Sequence, residues 1–99
     1  MHVISQKRLR EFWGQHPDAE DPLRAWYKIA SRSTWQNFAE IKTTFSNSAD
    51  RVGKCTVFNI GGNKYRLIVK IEFQWGRIYV LRVLTHREYD QADWESDCC

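Results

Sequence analysis

No run of apolar residues in this 99-residue chain approaches the roughly 20 that a membrane-spanning helix requires. The opening Met1-His2-Val3-Ile4-Ser5-Gln6-Lys7 also lacks the apolar stretch of a secretory leader, so a cytoplasmic protein with no membrane partner is expected. Cysteine is scarce. Cys55 stands alone and the adjacent Cys98 and Cys99 match no zinc-binding spacing; reduced thiols are expected, with a bridge between two chains or a soft metal as the alternative for the adjacent pair. Carboxylates nearly vanish between residues 51 and 87, where Glu72 is the sole acid. A two-metal phosphodiester-cleaving centre needs several acidic ligands close together, so none is expected, nor any other cofactor.

What is present is aromatic and unevenly charged. Five Trp, five Phe and four Tyr give a chain of this length enough bulk for one core, which suggests a single domain over residues 1–99 with about 95–99 as a disordered tail. Residues 1–50 carry seven basic and six acidic side chains, whereas 51–87 carry Arg51, Lys54, Lys64, Arg66, Lys70, Arg77, Arg82 and Arg87 against Glu72. The last stretch reverses sign with Glu88, Asp90, Asp93, Glu95 and Asp97. A basic segment interleaved with Tyr65, Phe73, Trp75 and Tyr79 suits a polyanion, because phosphate contacts supply most nonspecific nucleic-acid affinity. The alternative is the solvated outer face of a sheet.

Hydrophobic period divides the chain. His2-Val3-Ile4 reads as a short strand, and Ser5 opens a helix with Leu9, Phe12 and Trp13 on one face, closed by Gly14 and Pro17. Asp18 or Asp21 opens the next helix, where Pro22 suits the first turn and Leu23, Trp26, Tyr27 and Ala30 form a core stripe. Phe38, Ile41 and Phe45 suggest a third helical piece, followed by a loop at Ser46–Asp50. The period then becomes two: Cys55 to Ile60, Lys64 to Gln74 and Arg77 to Leu84 read as strands, and Thr85 to about Trp94 as a short capped helix or turn. The fold class is α+β, a short N-terminal strand and two to three helices packed on a mainly antiparallel sheet formed with a C-terminal three-stranded meander.

Register decides which residues of the last hairpin share a face. A two-residue turn at Trp75-Gly76 would set Arg82 among Leu67 and Val69, where an unpaired cation is costly. A bulged turn pairs odd residues with odd ones instead. It gathers Tyr65, Leu67, Val69, Ile71, Phe73, Tyr79, Leu81 and Val83 toward the core and leaves Arg66, Lys70 and Arg82 outward together.

The string Val57-Phe58-Asn59-Ile60-Gly61-Gly62-Asn63-Lys64-Tyr65-Arg66-Leu67-Ile68, followed by Thr85-His86-Arg87-Glu88-Tyr89-Asp90, resembles the HigB toxin family. Val3-Ile4-Ser5, Phe12-Trp13, His16 to Glu20, Pro22-Leu23, Ala25-Trp26-Tyr27 and Trp35 extend the likeness over nearly the whole chain. The resemblance implies a RelE-like fold and the toxin of a type II toxin–antitoxin pair, a ribonuclease that cuts messenger RNA, typically on the translating ribosome. Its partner would be a helix-turn-helix antitoxin of the HigA kind. A noncatalytic RNA-binding or ribosome-associating module is the alternative.

Metal-free scission of RNA by its own 2′-hydroxyl requires proton removal, protonation of the leaving oxygen and stabilisation of added negative charge. His86 suits the proton transfers because an imidazole titrates near neutrality, and His16 and His2 suit them less because a loop and an edge strand hold them. Arg66 and Arg82 can clamp the phosphate through paired N–H donors. Tyr89, three residues beyond His86, can stack on a base or donate a proton. Lys64, Lys70, Asn59 and Arg87 are candidate RNA contacts. Asp90 is left between holding a histidine tautomer and capping a turn.

Overall fold

The computed structural model describes residues 1–99. Strand β1 (His2–Ile4) leads into helices α1 (Gln6–Gln15), α2 (Glu20–Arg32) and α3 (Phe38–Phe45). Four strands follow, β2 (Ala49–Val52), β3 (Cys55–Ile60), β4 (Tyr65–Glu72) and β5 (Arg77–Thr85), and the short helix α4 (His86–Asp90) closes the order before a 3-10 segment at Asp93–Cys98. The sheet runs β1-β5-β4-β3-β2. Only the β1–β5 pairing is parallel; the rest is an antiparallel meander. The α+β arrangement is as expected, but the meander has four strands. β2 had read as loop because Ser46-Asn47-Ser48 precedes it and Asp50-Arg51 gives it no apolar alternation.

One sheet face meets the three long helices. Leu9, Leu23, Trp26, Ala30 and Ile41 pack there against Val3, Phe58, Leu67, Val69, Ile78 and Val80. The stripe predicted on α2 is the observed one, with Leu23, Trp26 and Ala30 buried. Asp18 does not cap α2, whose N-cap is Ala19 and whose first turn holds Asp21; it sits in a preceding 3-10 turn over Pro17–Ala19, where its carboxylate accepts a hydrogen bond from Tyr65 and pairs with Lys64. Ser5 is the N-cap of α1 by position only, since its side chain makes no capping bond.

The second face is not left open. Cys55, Val57, Ile68 and Leu84 pack there with Trp94 and Cys98 of the final 3-10 segment. Two expectations fall together here. Residues 95–99 are not a free tail, because Cys98 is buried, and the thiols of Cys55 and Cys98 are joined in a disulfide with Cα atoms 5.2 Å apart. Cys99 alone remains free and exposed. The acidic sequence suggests fraying, yet Trp94 and Cys98 are buried and the Cys98 carbonyl accepts the Lys54 amide.

The hairpin register differs from both alternatives. Phe73–Trp75 forms a 3-10 turn ended by Gly76 at φ 64°, and near it Ile71 faces Ile78 and Val69 faces Val80, odd with even. The bulge lies between Ile68 and Val69, opposite Leu81, and beyond it Leu67 faces Val83 and Tyr65 faces Thr85. The expected odd-with-odd parity therefore holds only at the far end. Ile78 and Val80 enter the helix-packed core in place of Tyr79 and Leu81. An extra residue in mid-strand reverses the side-chain alternation, so Arg82 keeps the outer face and no cation is buried among Leu67 and Val69.

Candidate active site

β4 and β5 write the cations of the outer face. Arg66, Ile68 and Lys70 alternate along β4, and Arg82 lies across from Ile68 on β5, so the three basic side chains expected together do share this face. Asn59 on β3 lies directly across from Arg66. Their surroundings differ from expectation. Arg66 is buried, its guanidinium donating to the carbonyls of Asn63 at 3.0 Å and Tyr65 at 3.2 Å. Arg82 is half-exposed, and its Nε donates to Asp97 Oδ2 at 2.8 Å.

α4 supplies the other groups. A reciprocal capping box starts this single turn: Thr85 Oγ1 accepts from the Glu88 amide at 3.2 Å while Glu88 Oε1 accepts from the Thr85 amide at 2.9 Å. The capped helix predicted from Thr85 onward is therefore present. It fixes His86 in its first position and brings Asp90 one turn along on the same side, where Asp90 Oδ2 lies 3.0 Å from His86 Nδ1. The contact sets a carboxylate beside Nδ1 of the ring and leaves Nε2 on the opposite edge. The His86 side chain is 53% exposed, so solvent and a ligand reach it.

Tyr89, from the same turn, connects helix and strand. The Arg66 guanidinium lies 5.2 Å from its ring centroid, and Trp94 stacks on it at 4.8 Å with an interplanar angle of 15°. Trp94 Nε1 donates to the Tyr89 carbonyl at 2.9 Å, which locks the pair. Burial raises the Tyr89 pKa above its ordinary 10.0 and outweighs the opposing Arg66 charge, so the phenol stays a proton donor near neutrality. Two neighbours already occupy the ring, which favours the hydroxyl over base stacking.

Other candidates disperse. Lys64 is drawn into the Asp18–Tyr65 cluster, tying the β3–β4 turn to the start of α2. Arg87 is exposed beside His86 on α4, and Lys70 is partly exposed. His16 stacks on Phe12 at 4.3 Å and packs edge-on against Tyr65, a packing role. Three neighbours escaped sequence reasoning: Asp97, Trp94 and Arg8, whose Nη1 donates to the Leu81 carbonyl at 2.8 Å. The sign reversal after residue 87 was the available signal for Asp97, since an acidic stretch beside a basic one invites pairing. No group of three or more His, Cys, Asp or Glu side chains is arranged to hold a metal ion.

The outer face thus offers an exposed imidazole paired with a carboxylate on α4, a phenol on the same turn that Arg66 contacts, and Arg82 on β5. The sequence profile described as HigB_toxin, RelE-like toxic component of a toxin-antitoxin system, matches residues 19–92. The chain is 29% identical over 92 residues to the mRNA interferase toxin HigB of Escherichia coli K12, covering 91% of this chain and 88% of that one. The mRNA interferase HigB of Escherichia coli O6:H1 is also 29% identical, over 93 residues, with 92% and 90% covered.

Proposed function

This chain belongs to the HigB toxin family, whose RelE-like members are the toxic components of toxin–antitoxin systems, and from that premise we propose that it is an endoribonuclease that cleaves messenger RNA on translating ribosomes without a metal. The observation that carries this reading is the His86–Asp90 pair, exposed on α4 beside the Tyr89 ring that Arg66 contacts. His86 Nε2 takes the proton of the ribose 2′-hydroxyl as that oxygen attacks the adjacent phosphorus. The P–O5′ bond breaks, and the 5′ oxygen leaves with a proton supplied by Tyr89, giving a 2′,3′-cyclic phosphate and a free 5′-hydroxyl. Arg66 and Arg82 stabilise the charge that grows on the nonbridging oxygens. Asp90 is a positioning residue that holds the imidazole tautomer.

Lys70, Arg87 and Asn59 contact the RNA on either side of the scissile link, and Lys64 a more distant phosphate. The partners are messenger RNA, the ribosome and a helix-turn-helix antitoxin in the cytoplasm; no helix is long and apolar enough to cross a membrane. Replacing His86 with Ala is expected to lower cleavage at least about 100-fold, the usual contribution of a positioned acid–base group. End mapping of transcripts in induced cells, with circular dichroism to verify folding, checks this. Undiminished cut ends in the His86→Ala strain would refute the assignment, and bound but uncut transcripts in the wild type would make the protein a noncatalytic RNA-binding module.

A further inference from the structure

The segment Asp93–Cys98 brings the Asp97 carboxylate onto the outer face of β4 and β5, where Arg66, Lys70 and Arg82 lie. Asp97 reaches Arg82, the Cys98 carbonyl accepts the Lys54 amide at 2.8 Å, Trp94 is buried against Tyr89, and Cys98 is bonded to Cys55. The turn below is shaped for it. Gly53, at φ 57°, lies so close under the Cys98 carbonyl that a Cβ there would collide with it. Where Asp97 meets the sheet, an open cavity of about 670 Å³ is lined by Arg8, Lys70, Leu81, Arg82 and Asp97. Three cations from α1, β4 and β5 thus line the space that one carboxylate enters, and Arg82 is the one it contacts.

We propose that Arg8, Lys70 and Arg82 form a phosphodiester subsite on the outer β4–β5 face, which Asp97 fills as an internal phosphate mimic while the Cys55–Cys98 disulfide tethers it there. The identity of the anion rests on the ribonuclease reading above. A carboxylate presents two oxygens to a guanidinium much as a phosphodiester does, and Arg82 binds one or the other. Half-exposed ion pairs are weak, so Asp97 stays in place because the tether raises its local concentration. Disulfides are rare in reducing compartments and those present there are commonly redox-responsive.

Release follows thiol–disulfide exchange. A small thiol of the glutathione or dithiothreitol class attacks one sulfur of the pair as its thiolate, forming a mixed disulfide, and the other cysteine leaves as a thiolate that takes up a proton. A second thiol displaces the first, giving two cysteine thiols and one oxidised reductant. Both sulfurs are buried, so exchange proceeds through fraying of Asp93–Cys98. Asp97 then leaves Arg82 to the RNA backbone.

The test is fluorescence anisotropy with a labelled 2′-O-methyl RNA of about 20 nucleotides, which cannot be cut, across a salt series with and without dithiothreitol. Asp97→Asn in the oxidised protein is expected to bind several-fold more tightly, with a log–log salt slope steeper by about 0.7, the increment for one added cation on a single strand. Wild type in dithiothreitol should reach the same values. Cys98→Ser combined with Cys99→Ser, which prevents the neighbouring thiol from substituting, should match them regardless of reductant. Glu95→Gln removes an equal charge from an exposed position and sets the background. Asp97→Asn binding no better than Glu95→Gln would overturn the subsite, and wild-type binding indifferent to dithiothreitol would overturn the tether. Because the probe is uncleavable, these results are independent of the His86→Ala cleavage assay.

Discussion

Asp18 is the residue on which the helical layer and the meander are pinned. It meets the Lys64 ammonium and the Tyr65 hydroxyl across 46 and 47 positions of chain. The hydrogen bond from Lys64, then that from Tyr65, holds its carboxyl below the ordinary 3.8. Folding thus favours the ionised form, and the contribution is complete above about pH 3.8 and lost as pH falls through the lower folded value. Asp18 in turn raises Lys64 above 10.5 and Tyr65 above 10.0, so their contributions are complete below those values and lost as pH rises through the folded ones. The cluster therefore acts across a window open from acid to mild alkali. Asp18→Asn should lower the melting temperature near pH 7, with a narrower gap from wild type in acid, as pH falls below 3.8 toward the folded value. A gap of constant size in melts followed by circular dichroism at both pH values would remove the linkage.

At the scale of single elements, α4 is the most vulnerable part of the proposed site. One turn makes too few internal hydrogen bonds to persist alone, so its capping box decides whether His86 and Asp90 hold their geometry. Thr85→Ala removes one capping acceptor and should cost about 1 kcal/mol in urea unfolding, while Thr85→Ser restores it. Cleavage should fall in the alanine variant and recover in the serine one. A full loss of cleavage in both would instead assign Thr85 a direct part in the chemistry.

This helix was legible in sequence because capping is local chemistry, as were the α2 stripe and the alternation of β4. β2 and the mid-strand bulge were not, since each is set by partners distant in the chain. Asp50 and Arg51 become strand because β3 pairs with them, and an extra residue opposite Ile68 leaves no mark on composition. The same reason divides the site. His86, Arg82, Arg66 and Tyr89 could be selected by residue type, whereas Asp97 over Arg82 and Trp94 on Tyr89 depend on where the final segment lands.

For the molecule as a whole, the sheet carries two unequal cores, one of 16 buried residues under the helices and one of six around the disulfide. The larger holds the aromatic mass of Trp26, Trp35 and Phe58 and needs nothing from the final segment. The smaller depends on closure between positions separated by 43 residues. Chain-entropy reasoning allows that link up to about 4 kcal/mol, through restriction of the unfolded chain. Reduction should therefore lower the urea midpoint strongly without unfolding the protein at ambient temperature, because the larger core stays intact. Gly53→Ala should act in the same direction in the oxidised protein, forcing a left-handed backbone on a residue with a Cβ and pushing against the Cys98 carbonyl. Near-ultraviolet circular dichroism should report a changed Trp94–Tyr89 environment in both cases while the far-ultraviolet spectrum is kept. Loss of the far-ultraviolet signal on reduction would mean that the two cores form a single cooperative unit and that the segment cannot open while the remainder stays folded.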